Sequence, residues 1–290
     1  MSHGLHRSFL LRLMLLFLCI MTVIPACVSA ETALRGYTQE DGYVYVSLGQ
    51  YPQTADGQVQ PVLWRVLAAD DEKCILLSEY ILFARCMNAS LTAYRDEFKG
   101  DFSRTDLCTY LNTVFLQDTF TEDEAAMLLP LEGVGKVFLP SVDELKNKSY
   151  GLGETLVGSE NVKKILANPG LRAWGTEWAI RNNGYDPAEY TDLKKKYEGS
   201  SRKEMPLKEL RLFEYSNGKG KHSPYWTRDA SASDGRQARC TKATGGIGRL
   251  EVGRDNLGAR PMIYLAQGSY TVTSGTGSMD DPCIIVRKGE

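Results

Sequence analysis

Four tryptophans, two arginines and a lone histidine carry most of the chemistry open to this chain. Trp64, Trp174, Trp178 and Trp226 have aromatic faces of the kind that stack on sugar rings or anchor protein interfaces. Trp64 alternates within an apolar stretch and reads as core. Trp174 and Trp178 stand four apart, the spacing of one helix face. Tyr225 and Trp226 are adjacent, so on a strand they point to opposite sides. Arg228 shares a face with Trp226, and Arg260 precedes Pro261. Two readings stay open for these arginines. Either they make buried, charge-assisted structural hydrogen bonds, or they clamp a ligand together with Asp229 and Glu177.

Catalysis has fewer materials. Beyond residue 30 the only histidine is His222, which excludes multi-histidine metal sites. Any Ser-His-Asp or Cys-His arrangement would have to use it, in a loop-like setting with no Gly-x-Ser-x-Gly elbow. Carboxylate pairs for glycoside hydrolysis stay open, because their separation is spatial. Asp280-Asp281 lack the alternating acidic positions of a calcium loop and read as a tight turn. Among the cysteines there is no CxxC. Cys74, in the strand-like CILL, and Cys108, on an apolar helix face, read as core. Cys240 and Cys283 lie near the two ends of the C-terminal half and could be bridged. No catalytic residue, metal or cofactor is implied.

The setting for this chemistry begins with an address label. Residues 1–30 have a basic start (His6, Arg7, Arg12), a twelve-residue apolar run from Leu13 to Ile24, then Pro25 and the small residues Val28-Ser29-Ala30. That is a secretory signal peptide. Twelve helical residues span about 18 Å, short of a bilayer core of roughly 30 Å. A lipoprotein anchored through Cys27 is the minor alternative. The remaining 31–290 are expected to form a single α+β domain, secreted or extracytoplasmic, with no transmembrane segment. Losing Arg7 and Arg12 makes a chain of formal charge −2 more acidic, so nucleic acid is an unlikely partner.

Tyr43–Leu48, Val62–Ala69 and Lys73–Tyr80 read as strands, the last two as a hairpin around Asp70-Asp71-Glu72, with Gly49–Thr54 as turn residues. Three N-cap patterns follow: Ser103 with Asp106, Thr121 with Glu124, and Ser141 with Glu144. Leu107, Tyr110, Leu111, Val114 and Phe115 form a helical stripe. Residues 181–222 hold ten Lys or Arg against seven Asp or Glu and read as a charged insertion. Strand patterns return at 225–228, 249–252 and 261–265, and 266–290 as a β-hairpin. Strands, then helices, then strands is an α+β order.

These residues resemble a bacterial family of unknown function found in exported and surface proteins. Its ordered motifs correspond here to Gly49-Gln50-Tyr51-Pro52-Gln53, Trp64-Arg65-Val66-Leu67, Leu76–Tyr80, Leu139-Pro140-Ser141 with Glu144, Tyr225-Trp226-Thr227-Arg228 and Gly258-Ala259-Arg260-Pro261. The insertion at 181–222 departs from the pattern, as does Thr227 where an aliphatic residue is usual. The strand entering Leu-Pro-Ser, the Trp-x-Arg strand and the last Gly-x-Arg strand also resemble formylglycine-generating-enzyme-like domains. That likeness implies a C-type-lectin-like core: short antiparallel sheets, two or three helices and long loops. It licenses no activity by itself, and the calcium-sugar and paired-cysteine oxidase signatures are missing. The function expected is a non-catalytic binding module for cell-envelope glycan or a surface protein. Its contact residues would be Trp174, Glu177, Trp178, Tyr225, Trp226, Arg228, Asp229 and Arg260. An extracytoplasmic hydrolase or modifying enzyme is the alternative.

Overall fold

Hydrophobic alternation builds the centre of the molecule. The computed structural model describes residues 34–152, 169–182, 223–233, 235–242, 245–255 and 257–289. Residues 1–30 (expected to be a signal peptide, and including Cys27), His222 and all but the first two residues of 181–222 lie outside them. Strand β1 (Val44–Pro52) pairs antiparallel with β2 (Val59–Ala69), and β2 with β3 (Lys73–Ser78). Val46, Trp64 and Ser78 lie opposite one another, all three fully buried. The expected hairpin forms because the Asp70 carboxylate accepts from the backbone N–H groups of Glu72 and Lys73. Gly49–Thr54 is not a turn. Strand β1 runs on to Pro52, interrupted by a register shift between Ser47 and Gln50 where Gly49 takes φ +70°, a value open to glycine.

Short strands β4 (Phe83–Ala84), β5 (Leu128–Leu129) and β6 (Val137–Phe138) precede the sheet formed by β7 (Trp226–Ala230), β8 (Gln237–Thr241) and β9 (Ile247–Glu251). β10 (Gly258–Ala259) pairs with β4, and β11 (Met262–Ala266) pairs with β3, β5 and β6. β12 (Tyr270–Ser274) and β13 (Cys283–Arg287) form the last hairpin, and β13 lies parallel to β1. The large sheet therefore runs β12-β13-β1-β2-β3-β11-β5, an open, mainly antiparallel sheet. It curls, since the Tyr270 hydroxyl on the edge strand β12 comes within 3.5 Å of Cys74 Sγ on β3.

The described residues form five helices, more than the two or three expected, and most are barely more than one turn. They are α1 (Leu91–Asp96), the composite α2, α3 (Glu122–Ala126), α4 (Val142–Lys146) and α5 (Glu177–Asn182). Helix α2 runs through Asp106–Tyr110, a π-helical turn Leu111–Phe115 and Leu116–Thr119. Its stripe of Leu107, Leu111 and Phe115 is fully buried, while Val114 turns out to solvent. Asn112 gives the π turn a purpose. Its amide donates to Val137 O and accepts from Val137 N, holding β6 to the helix. Both boxes at Thr121/Glu124 and Ser141/Glu144 form. The Ser103/Asp106 box does not: Thr105 caps α2, because Asp101 takes Ser103 N into a preceding 3₁₀ turn.

Candidate functional site

Arg228 and Asp229 are engaged by the fold. Arg228 reaches from β7 to the N-terminus of α4, where Nη1 and Nη2 donate to the two carboxylate oxygens of Glu144 at 2.5 and 3.0 Å. Nη1 also donates to Leu139 O. Glu144 is itself the return arm of the Ser141 capping box. Asp229 Oδ2 accepts from Val142 N at 2.7 Å, placing negative charge where the first helical amides are unpaired. The pair thus fastens the second sheet to a helix start, and Glu177 takes no part in it. The ligand clamp of Arg228, Asp229 and Glu177 is not assembled.

Tyr225, Trp226 and Arg260 are enclosed as well. The Tyr225 hydroxyl donates to Leu171 O, and Trp226 Nε1 to Arg85 O across 141 residues. Adjacent residues on a strand face opposite ways, yet both are buried because separate segments cover the two faces. Arg260 Nε donates to Ser78 O, and its guanidinium lies 5.6 Å from the Tyr225 ring. Its Nη1 is buried and has no hydrogen-bond partner among the described residues.

The remaining three residues surround the start of α5. Thr176 accepts from Ala179 N through its hydroxyl and from Ile180 N through its carbonyl. The helix therefore begins after Thr176, which leaves Trp174 outside it. The expected shared helix face does not exist. Trp174 instead lies in the extended segment alongside Ile81, whose N–H donates to Trp174 O. Its side chain is 44% exposed, the one aromatic among the large exposed hydrophobic residues described. Trp178 packs against Gly57, where an added Cβ would fall 3.1 Å from the indole, and its N–H donates to Gln53 O. Glu177 Oε2 accepts from Ala55 N at 3.3 Å. Glu177 and Trp178 thus tether the β1–β2 connection, and Trp174 faces outward beside them. The signal for this was the Gly175-Thr176 pair, a helix-start pattern.

Cys240 and Cys283 are not bridged. They belong to different sheets, Cys240 opposite Trp226 and Gly248 on β8, Cys283 opposite Val46 on β13. Cys74 and Cys108 are buried as expected, and burial raises both thiols, Cys108 to about 11. Asp281 Oδ2 accepts from Thr276 N, a turn closed on itself. Among the described residues no three of His, Cys, Asp and Glu gather as a metal would require. No described helix is long and apolar enough to cross a membrane.

Sequence reasoning missed one cluster. Arg65 on β2 lies 4.3 Å from the Tyr43 ring and 6.0 Å from that of Tyr45. Its Nε and Nη2 donate to both oxygens of Glu79 at 2.8 and 2.6 Å. Burial draws the guanidinium down, but Glu79 outweighs it and holds Arg65 above its ordinary value. Burial also raises Tyr43 and Tyr45, against the opposing pull of Arg65. The period-two spacing of Tyr43, Tyr45 and Ser47, all half-buried, was the available hint.

No protein-family model matches the chain, and no curated protein or solved structure matches it either.

Proposed function

We propose that this chain is an exported, non-catalytic binding protein that contacts cell-envelope glycan through Trp174. The observation that carries the reading is the 44% exposure of Trp174 on a segment pinned on both sides: Ile81 N–H donates to Trp174 O, and Ser223 N–H to Ala173 O. A rigid, half-exposed aromatic loses little entropy on binding and offers a face for a sugar ring. A C-type-lectin-like core and membership of the exported family belong to the same proposal. Short antiparallel sheets, helices of few turns, long connections and the pairing of the first long strand with the last support the first. The ordered motifs support the second, and the 1–30 leader supports export.

The test is a glycan and peptidoglycan-fragment screen of the protein beside Trp174→Ala, with thermal melts of both. Wild-type binding that disappears in an equally stable variant is the expected result. Binding that survives the substitution would move the contact elsewhere, and a partner found only among proteins would replace the glycan. N-terminal sequencing of the protein recovered outside the cell should begin after Ala30.

A further inference from the structure

Like charges placed directly opposite one another on paired strands repel and weaken a sheet. The second sheet contains such a pair: Arg239 on β8 stands opposite Arg249 on β9. Val252 N–H donates to Arg236 O at one end of this ladder, and Lys242 N–H to Gly246 O at the other. The register between them is unbroken, and hydrogen-bonded pairs alternate with the other kind along an antiparallel ladder. Counting in twos from either end makes Arg239 and Arg249 a non-hydrogen-bonded pair. That is the closer class, with Cα atoms about 4.5 Å apart and side chains side by side on one face.

The fold turns that face to solvent. Ala238 and Cys240, on either side of Arg239, are fully buried, and Leu250 packs against the core. Arg249 is exposed and Arg239 half-buried. Ion pairs among the described residues engage Arg35, Arg65, Arg95, Arg228 and Arg287, and neither of these two. The acidic residue of the same face is Glu251, opposite Gln237 and two places along β9 from Arg249. What Arg249 does meet is neutral: its Nη1 donates to the Ser233 hydroxyl, which lies 3.1 Å from that of Ser231. Strand β9 is an edge of its sheet, and a charge there guards against further strands. That accounts for Arg249 but not for a second arginine opposite it on the inner strand.

We infer that Arg239 and Arg249, with the Ser233 hydroxyl beside them, form a binding site for a phosphate group in its doubly charged form. Each guanidinium presents a fork of N–H donors that matches two oxygens of a tetrahedral anion. Two negative charges cancel both cations, where a carboxylate cancels only one. Ser233 can accept from Arg249 and turn its own proton toward a further phosphate oxygen. The bound anion removes the repulsion between the arginines, so binding adds to the stability of the folded chain. The chemistry is shared by free phosphate and by a phosphate monoester on a larger molecule. The site lies on the β8–β9 face and does not rest on the glycan reading of Trp174.

The experiment titrates inorganic phosphate, glucose 6-phosphate and acetate into the full chain by calorimetry, with thermal melts alongside, beside Arg239→Gln and Arg249→Gln. Ionic strength is held constant and pH kept near 8, so that general screening is equal in every arm and phosphate is doubly charged. Wild type should bind both phosphates and melt higher in their presence, and acetate should do neither. Each substitution should weaken phosphate binding at least about tenfold, the ratio one charge-assisted hydrogen bond supplies. Without phosphate, Arg239→Gln should melt no lower than wild type, because it removes a like-charge contact. Tighter binding of glucose 6-phosphate would support the site and assign it to a phosphorylated saccharide; equal binding would support it and assign it to the free anion. Binding of neither phosphate, acetate binding as well as phosphate, or phosphate binding unchanged in both variants overturns the inference. So does a clear drop in the melting temperature of Arg239→Gln without phosphate, which would show that arginine held by the fold.

Discussion

Two stretches of similar residues have opposite fates in this molecule. Trp226, Arg228 and Asp229 on β7 spend polar groups on the fold: Trp226 on Arg85 O, Arg228 on Glu144, Asp229 on Val142 N. Around α5, Glu177 and Trp178 make lighter ties to the β1–β2 connection, and Trp174 turns its ring outward. Both stretches pair tryptophan with an acidic residue. What separates them is how far the covering segments shut out water. A buried indole whose N–H meets a distant backbone carbonyl staples the fold, whereas Trp174 keeps 44% of its surface exposed.

The contrast can be broken at β7. Trp226→Ala should destabilise the protein by about 3–5 kcal/mol, the cost of emptying a tryptophan-sized space and orphaning Arg85 O. Chemical denaturation measures it, and wild-type stability in the variant would erase the distinction. Arg228→Ala comes next at roughly 2–4 kcal/mol, because it leaves the largely buried Glu144 carboxylate without its cation. A double-mutant cycle with Glu144→Ala should return about 1 kcal/mol or more of coupling; additive effects would mean that the pair does not act as a unit.

A smaller effect appears only in alkali. The Cys108 thiol, raised by burial to about 11 from an ordinary value of 9.0, holds its proton in the folded chain after the unfolded chain has lost it. Between pH 9 and about 11 the folded state binds more protons, so stability should fall as pH rises through that window. Denaturation midpoints followed across it should show a shallower fall in Cys108→Ala. At the small end, Trp174→Ala should change stability by no more than about 0.5 kcal/mol, and a thermal melt checks it. A large loss there would place Trp174 with the β7 residues and remove the platform on which the proposed function rests.

Much of the fold was legible where the signal is local. The Thr121/Glu124 and Ser141/Glu144 boxes close within four residues, so their partners are visible in a short window. The α2 stripe and the β2–β3 hairpin depend on periodicity and a turn carboxylate. Strand β8, Gln237–Thr241, went unread because charge and a small apolar residue alternate weakly there. The Ser103 pattern misled because Asp101 competes for the same amide. The candidate site was less legible. Eight residues were singled out by type, and among their aromatic members only Trp174 is exposed.

The amino-acid order alone determined the helix starts at Thr121 and Ser141 and the alternation that buries Val46, Trp64 and Ser78, since each depends on neighbours within a few residues. Tertiary structure decided what the polar and aromatic side chains are for. Arg228 became a helix clamp because α4 begins beside β7, and Cys240 stayed apart from Cys283 because their strands joined different sheets. Arg260, on the chain entering β11, met Ser78 O from 182 residues away. A residue's type limits what it can bond to, but whether that partner is a distant backbone group or the solvent depends on which segments fold over it.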